Sequence, residues 1–189
     1  MKSIKKLMAI VIAVAVTGTL SLTAFAADGD FGSAAVEEDK TYTLSEMLTY
    51  AIEDEYLAHA EYEKIIDTFG AQRPFTNIVK AEETHIAALE PLFAKYGVVL
   101  PANTAEDYTV VPSTLLDAFK AGVQAETSNI AMYGAFLKQE LPDDIRSVFT
   151  ALKNASENHL AAFENGVSRV EGSATDATGN QGRQSRGRH

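Results

Sequence analysis

The sequence predicts an all-α fold, an antiparallel four-helix bundle with one long crossover between its second and third helices. Three observations carry that prediction. Four segments repeat apolar residues at three- and four-residue steps, the period of a helix with one buried face. One connection, residues 98–112 (VVLPANTAEDYTVVP), is long while the others are short, as a bundle of two hairpins joined by a crossover requires. The chain also says one thing twice: Ala81–Glu90 reads AEETHIAALE and, 74 positions later, Ala155–Glu164 reads ASENHLAAFE. The match extends backwards, since Phe75-Thr76 and Phe149-Thr150 both begin ten residues before their histidine. Glu55 is followed seven residues on by Tyr62, and Glu126 likewise by Tyr133.

In chain order, residues 1–26 read as a secretory signal peptide. Lys2, Lys5 and Lys6 precede an apolar run from Leu7 to Val16, and Ala24-Phe25-Ala26 offers a small-residue cleavage site. Residues 27–42 are polar, acidic and rich in small residues, and are expected to be a flexible leader. The bundle is expected over 43–170. Its first helix opens with Thr43-x-x-Glu46, a capping box, and carries the seam Leu44, Leu48, Ile52, Glu55, His59, Tyr62, Ile66 and Phe69 up to Gly70. The second starts at Pro74, carries Phe75, Ile78, Glu82, His85, Leu89, Leu92 and Tyr96, and ends at Gly97. Pro91 is expected to kink or break it. The third opens at Ser113 with the seam Leu115, Phe119, Val123, Glu126, Ile130, Tyr133 and Leu137. The fourth follows Asp143-Asp144 with Ile145, Phe149, Leu152, Ser156, His159 and Phe163. Residues 171–189 are polar and basic and are expected to be a disordered tail.

The chain contains no cysteine, which removes disulfides, thiolate metal sites and cysteine nucleophiles. Loss of the signal peptide takes the formal net charge from −10 to −13. That balance argues against nucleic acid as a partner and suits cations. After cleavage no segment suits a membrane, and the expected location is extracellular.

Seam positions point into the bundle and should be apolar. Glu55, Glu82, His85, Glu126 and His159 instead fall on seams, at similar depths. Three converging buried carboxylates need a cation or protons among them. Glutamate and histidine at i and i+3 share a helix face, so Glu82 and His85 can ligate one centre. These five are the expected metal ligands, for one or two divalent ions. Tyr62 and Tyr133, two turns beyond Glu55 and Glu126, are expected to donate hydrogen bonds to ligating carboxylates. Ser156 stands where a second Glu-x-x-His would place its carboxylate. His59 lies one turn after Glu55, but its repeat counterpart is Ile130, so it is expected to line the pocket. Nitrogen and oxygen donors suit iron, manganese or zinc.

Over roughly Leu44 to Val167 the pattern resembles the ferritin-like superfamily in the rubrerythrin manner, and is most similar to the secreted domain of unknown function numbered 2202. Ser156-x-x-His159 departs from the di-iron pattern, while its form (SENHLAAF) is similar to that group. The resemblance implies a secreted metal-binding protein with a di-iron or di-manganese centre, oxygen or peroxide as co-substrate, and ferroxidase or peroxide-reducing activity. Two alternatives stand beside it: a metal-free structural or interaction bundle with a vestigial pocket, and a non-catalytic carrier of a single ion.

Overall fold

The computed structural model describes residues 31–181; the expected signal peptide, residues 27–30 of the leader and residues 182–189 of the tail lie outside them. Helices α1 (Leu44–Phe69), α2 (Phe75–Tyr96), α3 (Leu115–Leu137) and α4 (Asp143–Gln181) form the fold, with short 3-10 turns at Gly32–Ala35 and Ala105–Tyr108 and no strand among the described residues. The fold class is that expected. Thr43 and Glu46 form the capping box: Glu46 N donates to Thr43 Oγ1 at 3.2 Å and Thr43 N to Glu46 Oε2 at 2.7 Å. Gly97 ends α2 with φ 65°, the left-handed conformation in which glycine escapes the Cβ clash. Thr114 caps α3 by accepting from Asp117 N at 3.1 Å, one residue later than the expected opening.

Three expectations are corrected. The first concerns Pro91, expected to kink or break α2: it does not break the helix, which continues to Tyr96. Pro91 and Ala87 are both exposed, so the carbonyl that loses its helical donor lies on the solvent side of the helix. The second is the leader, which is packed against the bundle from Phe31 onward. Phe31 is buried and stacks on Tyr108 of the crossover at 4.3 Å, and Tyr42 is buried beside Phe136. Ser33 N donates to Asp54 Oδ1 at 2.7 Å and Gly32 N to Glu53 Oε2 at 3.3 Å, so this strap is tied to α1. The third is the end of α4, which runs past residue 170 to Gln181.

Side-chain pairs show every adjacent helix pair to be antiparallel. Tyr62 of α1 meets Phe75 of α2, while Glu55 meets His85. Tyr133 of α3 meets Phe149 of α4, and Phe119 packs on Gly166. Between hairpins, α1 lies against α3 and α2 against α4; Phe75 touches Phe163 at one end, and Lys95 pairs with Asp144 at the other. The crossover lies along α1, where Lys64 Nζ donates to the Glu106 carbonyl and to Thr109.

The core divides into two apolar plugs. One contains Leu48, Ile52, Leu89, Phe136 and Phe149, and the other contains Tyr62, Ile65, Phe75, Phe119 and Phe163. Truncating a fully buried phenylalanine such as Phe75 or Phe149 costs about 3–5 kcal/mol. In the second plug the helices approach at glycine: a Cβ on Gly122 would lie 2.8 Å from the Phe163 ring, and one on Gly166 2.6 Å from the Phe119 ring. Between the plugs, at mid-height, the interior turns polar.

Candidate metal centre

The polar layer is made by residues whose helical phase points them inward. Glu55 follows Ile52 on the buried face of α1, and Glu82 and His85 stand between Ile78 and Leu89 on α2. Glu126 comes from α3, and Ser156 and His159 stand between Leu152 and Phe163 on α4. All six are buried, Glu55 at 1% exposure and Glu82 at 2%. The two imidazoles stack with ring centroids 5.5 Å apart and planes 22° from parallel.

Two groups of donors result, each with three residues whose ligand atoms lie within 4.8 Å of one another: Glu55, Glu82, His85 and Glu82, Glu126, His159. They share Glu82. His85 Nδ1 is 2.7 Å from Glu82 Oε2 and 3.0 Å from Glu55 Oε2. His159 Nδ1 is 3.2 Å from Glu82 Oε1 and 3.5 Å from Glu126 Oε1, yet it is buried and makes no hydrogen bond, because neither approach has the required direction. The tyrosines cross between hairpins. Tyr62 Oη donates to Glu126 Oε1 at 2.8 Å, and Tyr133 Oη donates to Glu55 Oε1 at 2.7 Å.

Burial dominates the electrostatics. It raises Glu55 to about 7, helped by the charge of Glu82 and opposed by His85. Burial also raises Glu126, partly countered by the His159 beside it. Glu82 is held below its ordinary range: burial acts against this, but His159 and His85 outweigh it. Burial alone would depress the histidines, yet the carboxylates around them lift His85 to about 10 and His159 to about 9. Protons are thus held on the two histidines and favoured on Glu55 and Glu126, while Glu82 stays ionised between the imidazoles.

Ser156 and His59 end up differently. Ser156 Oγ donates to Asn129 Oδ1 at 2.7 Å, and Asn129 Nδ2 donates to Asp54 Oδ2 at 2.6 Å while lying 3.4 Å from Glu55 Oε1. A chain of polar side chains thus fills the place where a second Glu-x-x-His would put its carboxylate. His59 is not brought into the layer: its ring nitrogens face Glu63 at 3.5 Å and Glu83 at 3.6 Å on the outer side of α1 and α2.

Sequence reasoning missed Asp54, Asn129 and Glu61, all buried. Asn129 was within reach, lying three residues after Glu126 on the same helical face. Asp54 and Glu61 each lie one residue before a seam position, Glu55 and Tyr62, and so fall off the apolar seam. Burial and Ser33 act in opposite directions on Asp54, leaving it raised to about 6. Burial and the Asp54 charge raise Glu61 to about 9, against a hydrogen bond from the Val110 backbone.

Comparison with known proteins places these features in a wider setting. Residues 45–178 match a family described as an uncharacterized protein domain, DUF2202. The uncharacterized protein MJ0754 of Methanocaldococcus jannaschii is 28% identical over 126 residues, spanning 59% of this chain and 68% of its own length. The crystal structure of that hypothetical protein superposes with a TM-score of 0.62 at 23% identity, covering 72% of this chain and 86% of the other. That likeness speaks to the fold alone.

Proposed function

The chain belongs to the DUF2202 family, which is ferritin-like, and on that footing we propose that its mid-height layer binds divalent metal ions. Glu55, Glu82 and His85 would hold one ion, and Glu82, Glu126 and His159 a second, with Glu82 shared. The observation that carries this reading is the pair of three-donor groups meeting at one carboxylate, with His159 Nδ1 buried 3.2 Å from it and making no hydrogen bond. The donor spacing fits. Ligands about 2.1 Å from one ion and at right angles stand about 3 Å apart, and the contacts of His85 and His159 with their carboxylates run from 2.7 to 3.5 Å. A single Nδ1–H cannot serve two carboxylates fully, whereas a cation at the same place attracts all three donors.

The donors are the nitrogen and carboxylate types suited to iron, manganese or zinc. Bound iron or manganese would supply redox chemistry toward dioxygen or peroxide, and ferroxidase or peroxide reduction is the activity proposed, outside the cytoplasm. The protein's own contribution is to keep the carboxylates oriented through Tyr62 and Tyr133 and to exclude bulk water with the apolar plugs. A second reading has its own observation. Protonated His85 and His159 already offset two of the three carboxylate charges, which favours a metal-free structural bundle.

Metal analysis of protein purified without chelator separates the two. The metal reading expects one to two equivalents of metal and a melting temperature lowered by EDTA. It also expects loss of most uptake in Glu82→Ala and His85→Ala but none in Glu83→Ala or Glu157→Ala, whose side chains are 65% and 50% exposed. A metal-free protein whose melt ignores both EDTA and added ferrous ion would overturn it. Oxygen uptake after anaerobic ferrous loading then tests for oxidase activity.

A further inference from the structure

An ion bound at mid-height needs a way in, because Glu55, Glu82 and Glu126 are each 3% exposed or less. One pocket of about 140 Å³, between α1 and α3, reaches Glu82 and Glu126. That is many times the roughly 10–15 Å³ that a single water needs. Ala58 and Glu61 of α1 and Ala125 of α3 line it, Glu82 and Glu126 belong to the same lining, and Ser33 of the strap borders it. Two alanines keep open a space that larger side chains would fill. The groove of about 480 Å³ around Lys120 and Glu164, between α3 and α4, touches none of the five candidate ligands.

A second observation links the pocket to a cation. Glu82 and Glu126, which it reaches, are the two carboxylates faced by the unpartnered, buried His159 Nδ1. The half of the site left incomplete by hydrogen bonding is the half the pocket opens onto. Glu61, 3% exposed, is a third carboxylate in the same lining.

We infer that this pocket is the entrance by which a hydrated divalent cation reaches Glu82 and Glu126, with Glu61 the carboxylate that receives it in transit. The inference rests on the metal-binding reading above and adds a route to it. An arriving dication displaces the Glu61 carboxyl proton to water, sheds part of its hydration there, and passes on to the carboxylates below. Glu61 acts on passage, so it governs rates of loading and release and leaves the final occupancy alone.

The test is stopped-flow loading of the metal-free full chain with cobaltous ion, followed by absorbance, with occupancy measured at equilibrium. Glu61→Gln preserves shape but cannot ionise to meet the cation, and should slow loading about tenfold or more, the low end of the range over which a carboxylate charge in a cleft changes association rates. Ala125→Leu narrows the pocket and should also slow loading. Glu164→Gln makes the same replacement in the groove between α3 and α4 and should load like the parent. Equilibrium occupancy should be unchanged in all three, with folding checked by circular dichroism; if Ala125→Leu fails to fold, Glu61→Gln decides. Parent-like loading by Glu61→Gln would overturn the entrance while leaving the metal site standing. Loss of equilibrium occupancy in Glu61→Gln would make Glu61 a ligand and overturn its transit role. No cobalt uptake by the parent would overturn the metal reading, and the entrance with it.

Discussion

Replacing Ser156 with glutamate asks whether the layer has room and use for two ions. Ser156 is 2% exposed and donates to Asn129 at 2.7 Å. The substitution removes that hydrogen bond, at about 1 kcal/mol, and presses a longer chain into filled space, at about 1–3 kcal/mol. With Asp54, Glu55, Glu82 and Glu126 nearby, the new carboxyl takes up a proton when no cation is present. The metal-free variant should therefore be less stable than the parent by about 2–4 kcal/mol. At about 2–4 °C per kcal/mol for a domain of this size, its melting temperature should fall by roughly 5–15 °C. Manganous ion reverses the balance, because a further carboxylate now faces a hard dication. Binding at a hundredfold excess over Kd returns about 2.7 kcal/mol per site. The assay is calorimetric melting of parent and variant, each in EDTA and in manganous ion. The variant should gain more from the metal than the parent does. An equal deficit in both buffers would refute the two-ion arrangement.

The metal-free protein should lose stability as pH rises. His85, raised from 6.5 to about 10, contributes fully below its unfolded value and loses that contribution as pH climbs through 10. Glu55 and Glu61, raised from 4.5 to about 7 and about 9, are without cost below 4.5 and destabilise as they are forced to ionise. Glu82, held low, acts in the opposite sense and is outnumbered. Melts in EDTA should thus fall steadily from mildly acidic to alkaline pH, and a flat or rising profile would contradict the assignment. The glycines of α3 should part company in urea denaturation. Gly122→Ala meets the Phe163 ring at 2.8 Å and should cost about 1–3 kcal/mol. Gly134→Ala meets nothing within 4 Å and should gain about 0.5–1 kcal/mol, so equal effects would show that the close approach has no consequence.

Helical period made the bundle legible, and carboxylates standing on apolar seams made the polar layer legible. Glu55, Glu82, His85, Glu126 and His159 do come together, because side chains in phase on four packed helices have nowhere else to point. His59 shows the limit of that logic. One turn from Glu55 is still about 40° around the helix, enough to aim it at Glu83 on the outer side. The strap was invisible for another reason. Its hold on the bundle comes from two aromatic anchors, Phe31 and Tyr42, and from backbone donors reaching Glu53 and Asp54, none of which has a period. Asp54 belongs to the same class, since what defines it is Asn129, 75 residues away.

The rings of Phe119 and Phe163, each lodged against a glycine of the facing helix, belong to the hairpin that carries Ser156. In the other repeat the corresponding positions are Leu48, Leu89, Ala51 and Leu92, so only α3 and α4 are keyed in this way. A key cut into the apolar end of a hairpin sets the height of His159 against Glu126 without help from the polar layer. Alignment and ligation are then separable burdens. Serine at 156, with Asn129 and Asp54 filling the space beside it, is compatible with the register of the second hairpin because the ring-and-glycine contacts do not involve that position.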